Sequence, residues 1–169
     1  RLGEITKIPI RAGEGQKLVL DYKKANGAYP SIDDDESYSL NIDDSKILLS
    51  ANSDTGILHG LESLLQLAKQ QDGKWGFPEL ELKDNPRYPW RGLMIDAGRH
   101  WIDKETILRN LDAMAAVKMN VLHWHVTEYQ GFRVESKKYP KLHEMGSQGN
   151  FYSQEDIKEV VDYAANRGI

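Results

Sequence analysis

Pro86 and Pro89, in the stretch Asp84-Asn-Pro-Arg-Tyr-Pro-Trp, divide the chain into two parts with different folding rules. Proline fixes its own φ, lacks an N–H and drives the preceding residue out of helical space, so a regular element does not cross this stretch. Downstream the pattern is strand, helix, strand, helix. Gly92-Leu-Met-Ile is a short apolar strand. Asp103 caps a helix that carries Ile107, Leu108, Leu111, Met114 and Ala115 on one face. Val121-Leu122 begins a second strand, and Ser153-Gln-Glu-Asp starts a helix with Ile157, Val160, Val161 and Ala164 inward. Its capping-box position holds Asp156 where Glu or Gln is usual. Strand alternating with helix predicts a parallel α/β array. A closed (β/α)₈ barrel needs about 250 residues, so residues 87 to 169 are expected to be the first two βα units of such a barrel, truncated.

Residues 1 to 86 read differently. Leu18-Val-Leu, Tyr38-Ser-Leu-Asn-Ile and Lys46-Ile-Leu-Leu-Ser-Ala are strand-like, the last two separated by the turn Asp43-Asp44-Ser45. Ser53 or Asp54 caps a helix with Ile57, Leu58, Leu61, Leu64, Leu65 and Ala68 at 3.6-residue spacing, and Asp72-Gly73 is read as its end. Phe77-Pro-Glu-Leu-Glu-Leu reads as an edge strand. The expectation is a small α+β domain, its antiparallel sheet covered on one face by a helix. The acidic run Asp33-Asp34-Asp35-Glu36 is either a solvated loop or a cation site.

Composition removes several function classes. The net charge is −4, which gives no basic field for nucleic acid or an anionic membrane. No apolar run reaches the ~18 residues that cross a bilayer, and no signal-peptide core is present. The chain has no cysteine, so disulfides, thiolate metal sites and a cysteine nucleophile are excluded.

In parallel α/β folds, functional groups gather at the C-terminal ends of the strands. The first strand ends in Asp96-Ala-Gly-Arg-His, offering Asp96, Arg99 and His100; the second offers His123, His125, Glu128 and Arg133. The segment from 126 to 152 is long for a connector, and long loops are often functional. Asp96 and Arg99 form either an ion pair within the loop or a guanidinium fork for vicinal hydroxyls or a carboxylate. His123 and His125 share a strand face, with Trp124 on the other. The pair suits either a metal or inward histidines bonded to backbone carbonyls. Trp90 and Trp101 are either stacking platforms or core.

Together, RGLMIDAGRHW, LDAMAAVKMNVLHWHVTEYQGFRVES and FYSQEDIKEVVDYAANRGI resemble the start of the catalytic barrel of glycoside hydrolase family 20, the β-N-acetylhexosaminidases. The preceding residues, including GILHGLESLLQL, resemble the small domain that precedes that barrel. The resemblance implies removal of terminal N-acetylhexosamine, as N-acetylglucosamine or N-acetylgalactosamine, from glycans. The mechanism it implies is retaining and substrate-assisted: the acetamido oxygen attacks the anomeric carbon while an enzyme Glu protonates the leaving oxygen. It implies that Arg99 holds ring hydroxyls and that Glu128 supports the catalytic acid. Asp96, His100, His123 and His125 match motif positions with mainly structural roles. The family pattern at Glu128 is an acid followed by Asp, whereas this chain has Glu128-Tyr129. The family's catalytic Asp-Glu pair lies on a later strand, so no catalytic residue proper is expected in residues 1 to 169, and the isolated chain is expected to be inactive. No cofactor and no metal are implied. The implied partner is an N-acetylhexosamine-terminated glycan, with an open barrel edge available for self-association, and export to periplasm, extracellular space or lysosome. Two other readings stand beside this one: a metal-dependent barrel hydrolase using His123 and His125, and a non-catalytic carbohydrate-binding module.

Overall fold

The computed structural model describes residues 16 to 169. The first 15 residues of the expected small domain therefore lie outside the described residues. The chain divides into two compact units, Arg1–Pro89 and Trp90–Ile169.

The first unit has strands β1 (Lys17–Lys24), β2 (Tyr38–Ile42) and β3 (Lys46–Ser53), helix α1 (Asp54–Leu67), hairpin strands β4 (Lys69–Gln71) and β5 (Lys74–Gly76), and strand β6 (Leu80–Asp84). Its sheet runs β1-β3-β2-β6, with β6 at an edge. β2 pairs antiparallel with both β3 and β6, whereas β1 pairs parallel with β3. That one parallel pair makes the sheet mixed rather than wholly antiparallel. The connection from β1 to its parallel partner β3 runs through residues 25 to 45 and includes β2, longer than the dozen or so residues a parallel crossover needs. The tight β2–β3 turn is held by Asp43, whose Oδ1 accepts the N–H groups of Ser45 at 2.8 Å and Lys46 at 2.9 Å.

Alternation along β2 and β3 sends Leu40, Ile42, Ile47 and Leu49 inward, where they meet Ile57 and Leu64 of α1. Gly60 lets the helix lie close on this sheet: a Cβ there would sit 2.3 Å from Leu49 Cδ1. Ser53 is the N-cap, its Oγ accepting the Gly56 N–H at 3.1 Å. The helix stops at Leu67, earlier than expected. Asp72 and Gly73 form the β4–β5 turn instead, both at positive φ (51° and 76°), as a two-residue hairpin requires. The acidic run is not uniformly solvated, because Glu36 is buried beside His59 at 3.6 Å.

The second unit has β7 (Gly92–Asp96), α2 (Lys104–Ala116), β8 (Val121–His125), the short hairpin β9 (Thr127–Glu128) and β10 (Gly131–Phe132), α3 (Lys141–Gly146) and α4 (Gln154–Ala165). β7 and β8 pair in parallel, with Ile95 opposite Trp124 and Asp96 opposite His125. One sheet face carries Leu93, Ile95, Leu122 and Trp124 into a core with Ile107, Leu111, Met114, Val160 and Ala164. The other face carries Met94, His123, Asp96 and His125. The segment 126–152 is not a structureless loop: it contains the β9–β10 hairpin and α3, and Val134 bridges Tyr152 in parallel.

The side-chain caps of α2 and α4 are local devices. Asp103 Oδ1 accepts the Thr106 N–H at 2.7 Å. Ser153 and Asp156 form a complete capping box despite the shorter Asp side chain. Lys104 Nζ then joins α2 to α4, reaching Asp156 Oδ1 and Glu159 Oε2 at 2.7 Å each. The hydrogen bond from Lys104, with those from Ser153, lowers the Asp156 carboxyl to about 2. An unfolded Asp titrates at about 3.9. Its contribution is therefore fully present above about pH 4 and is lost as pH falls from there towards 2. We predict that the gap in thermal midpoint between the wild type and Asp156→Asn is constant from pH 7 to 5 and shrinks below about pH 4. A gap that persists unchanged to pH 2 would show that the ionised carboxylate does not stabilise the helix pair.

Candidate functional site at the strand ends

The parallel register places Asp96, the last residue of β7, opposite His125, the last residue of β8. Beyond them the chain from β7 folds back over β8: the N–H groups of Ala97 and Gly98 both donate to the His125 carbonyl, at 2.9 and 3.0 Å. This turn is closed by Asp96, whose Oδ1 accepts the Arg99 N–H at 2.9 Å. Its other oxygen pairs with Arg99 Nε at 2.8 Å. The Arg99 N–H and then the guanidinium charge hold the Asp96 carboxyl below the usual carboxylate range.

Glu128 reaches the same place from the β9–β10 hairpin. Its Oε2 lies 3.2 Å from His125 Nε2 and 3.7 Å from a terminal nitrogen of Arg99. Its Oε1 accepts the Tyr129 N–H at 3.0 Å. That backbone bond, the contact with His125 and the Arg99 charge keep the Glu128 carboxyl low as well. The result is a string of contacts, Asp96–Arg99–Glu128–His125, in which the Arg99 guanidinium stands between two acids. It is open to solvent: the Arg99 side chain is 59% exposed. A guanidinium has five N–H donors in a planar fork. With Nε committed to Asp96 and Nη2 facing Glu128, the donors of Nη1 are available to hydroxyls or carbonyls.

Two glycines set the spacing of this string. A Cβ on Gly98 would lie 3.0 Å from Glu128 Cβ and 3.1 Å from Glu128 N. A Cβ on Gly131 would lie 2.7 Å from the Gly98 carbonyl oxygen. The β7 turn and the β9–β10 hairpin therefore touch backbone to backbone, and larger residues would push Glu128 away from Arg99.

The other strand-end residues separate from this group. His100 is exposed and stands outside the hydrogen bonds that join the four residues. His123 is exposed, its ring 5.8 Å from that of His125 and edge-on to it. Among the described residues no group of three or more His, Cys, Asp or Glu is arranged to hold a metal. Arg133 is not a site residue in the sense expected from its sequence position. It is 6% exposed, and its Nη1 donates to the carbonyls of Ser147 and Asn150, closing the loop beneath the hairpin. Trp101 packs on Tyr152, with ring centroids 4.5 Å apart, and Trp90 is 62% exposed.

Tyr152 is a residue that the sequence did not single out. It is 1% exposed and lies against both Trp101 and Trp124, and its hydroxyl donates to the Ile102 carbonyl. Burial pushes its phenol up to about 12. It fixes Trp124, and through it the strand that carries His125. Its only sequence signal was its place directly before the capping Ser153.

Comparison with known proteins is consistent along the chain. The family model "Glycosyl hydrolase family 20, catalytic domain" matches residues 88–169, and "beta-acetyl hexosaminidase like" matches residues 9–67. The β-hexosaminidase subunit beta of Mus musculus is 42% identical over 145 residues, covering 84% of this chain and 27% of the mouse protein. A β-hexosaminidase of Vibrio furnissii is 36% identical over 154 residues, covering 80% of this chain and 25% of its own length. The chain thus spans about a quarter of the length of these relatives. Among solved structures, Flavobacterium johnsoniae chitobiase superposes with a TM-score of 0.86 at 49% identity, over 90% of this chain and 23% of that one. The exo β-N-acetylglucosaminidase of Vibrio harveyi, solved with N-acetylglucosamine, gives 0.82 at 31% identity, over 99% of this chain and 28% of its own. With both units matched, the chain belongs to glycoside hydrolase family 20.

Proposed function

We propose that this chain contributes the sugar-holding side of a β-N-acetylhexosaminidase that removes terminal N-acetylglucosamine or N-acetylgalactosamine from glycans by substrate-assisted, retaining hydrolysis. In this reading, Trp90–Ile169 forms the opening strand-helix repeats of the catalytic barrel, and the unit before it is the small domain that precedes the barrel. The observation that carries the reading is the Asp96–Arg99–Glu128 arrangement at the ends of two parallel strands. Arg99 is oriented by a 2.8 Å ion pair to Asp96 and yet stays largely exposed. A preset, solvent-facing guanidinium fork suits the vicinal hydroxyls of a terminal sugar ring.

The remaining roles follow from charge. Asp96 orients Arg99. Glu128 is ionised and in contact with His125, and it is placed to hold a neighbouring proton-bearing group in register. The nucleophile in this mechanism is the acetamido oxygen of the substrate, which attacks the anomeric carbon as the leaving oxygen takes a proton from an enzyme carboxylic acid. That acid and its neighbouring Asp belong to a later strand in the family pattern. The chain's part is to bind and orient the sugar. The relatives named above as hexosaminidases, and the Vibrio harveyi structure that holds N-acetylglucosamine, support this choice of substrate.

Two substitutions in the native gene product that contains these residues test the roles separately. A hydrogen bond to a charged group is worth about 1.5–3 kcal/mol. Arg99→Ala should therefore lower kcat/KM on a chromogenic N-acetylglucosaminide at least about tenfold, largely through KM. Near-normal kinetics in a folded variant would make Arg99 structural. Glu128→Gln keeps the shape but removes the charge that faces both His125 and Arg99. It should lower kcat with KM little changed, because Glu128 positions the acid rather than the sugar. A rise in KM with unchanged kcat would instead put Glu128 on the substrate.

A further inference from the structure

Tyr129 is 96% exposed, more than any other large apolar side chain among the described residues; the next, Met145, is 79% exposed. Burying a tyrosine ring is favourable, and a ring left this bare at the lip of a site is available to a ligand. Its backbone, in contrast, is held firmly. Tyr129 and Gln130 are the two turn residues between Glu128 and Gly131, which pair across the hairpin. The Tyr129 N–H donates to Glu128 Oε1 at 3.0 Å. The hairpin rests on the β7 turn through Gly131 and Gly98, and the Arg133 N–H ties its far strand to the Val126 carbonyl at 2.9 Å. A free ring on a fixed backbone costs little entropy to use in binding.

We propose that Tyr129 recognises the leaving side of the substrate, stacking its ring on the sugar next to the scissile bond. This rests on the function proposed above. If Arg99 holds the terminal sugar and Glu128 positions the acid that protonates the leaving oxygen, the remainder of an exo-cleaved glycan lies on the Glu128 side and leaves towards solvent. Tyr129 follows Glu128 directly, in the turn of the same hairpin, and carries a bare ring on that side. Sugar rings present C–H faces that pack on aromatic rings, and the adjacent hydroxyls stay wet. An acid, which the family pattern carries at this position, offers no such face, so the tyrosine gives this chain a preference of its own.

The test compares two substrates with the same terminal N-acetylglucosamine in the native gene product. One is the methyl glycoside, with no ring in the leaving group, and the other is the disaccharide of two N-acetylglucosamines. Stacking of a ring on an aromatic side chain is typically worth enough to change binding about five- to tenfold or more. Tyr129→Ala should lower the ratio of kcat/KM for disaccharide over methyl glycoside about five- to tenfold, chiefly through the KM of the disaccharide. Tyr129→Phe should keep the ratio within about twofold, because the ring does the stacking. An unchanged ratio in Tyr129→Ala would overturn the proposal, and so would an equal loss on both substrates. A Phe variant as impaired as Ala would replace stacking with a hydroxyl contact and overturn it too. A fall in thermal midpoint for Tyr129→Ala with no change in ratio would show that protein rather than sugar covers the ring. Wild-type protein inactive on both substrates would overturn the hexosaminidase reading itself, whereas an active wild type with an unaltered ratio overturns only the role of Tyr129.

Discussion

The parallel pairing of β7 and β8 is the constraint on which the site depends. Its register sets Asp96 beside His125, and the carbonyl of His125 then collects the N–H groups of Ala97 and Gly98. Those two bonds turn the chain so that Arg99 returns to Asp96. Slipping the pair by one residue would reverse the faces, sending Trp124 to the site and His125 into the core. The apolar face opposes that slip: Trp124 and Ile95 are packed with the helices and Tyr152. The polar site is thus held in register by the hydrophobic core on the other side of the same two strands.

Charge then organises what the register brings together. Each basic group has an acid beside it, and both acids, Asp96 and Glu128, are lowered by hydrogen bonds from backbone N–H groups as well as by charge. Both carboxylates therefore remain ionised further into acid than an ordinary carboxyl would. Arg99 keeps its orientation over the same range. The pairs are partly exposed, so their worth lies in geometry more than in stability. What they provide is a guanidinium whose direction is fixed before any sugar arrives, which reduces the ordering cost of binding.

Much of this was legible in the sequence, for local reasons. The caps at Ser53, Asp103 and Ser153 depend on side chains reaching three residues along the chain, and a linear reading finds them. The strand and helix periods of the second unit, and the opposed faces of His123-Trp124-His125, follow from alternation alone. Asp72-Gly73 misled because the same residue chemistry ends a helix and makes a hairpin turn; only the pairing of Lys69–Gln71 with Lys74–Gly76 decides between them. The parallel β1–β3 pair was invisible because its partners are separated by β2 and two connections. Arg133 looked like a strand-end site residue, but the loop from 147 to 150 folds under the hairpin and takes its guanidinium. The Gly98–Gly131 contact had no signal, since a glycine does not name the backbone it lets in.

The central claim is that Arg99, preset by Asp96, grips the terminal N-acetylhexosamine at the ends of β7 and β8. A crystal structure of the native gene product soaked with N-acetylglucosamine tests this most directly, by the distances from the sugar hydroxyls to Arg99. The account predicts two ring hydroxyls within hydrogen-bond reach of the guanidinium, about 2.7–3.2 Å, with the Asp96–Arg99 pair unbroken. A sugar bound with Arg99 turned away, or a site occupied through His123 and His125 instead, would contradict it.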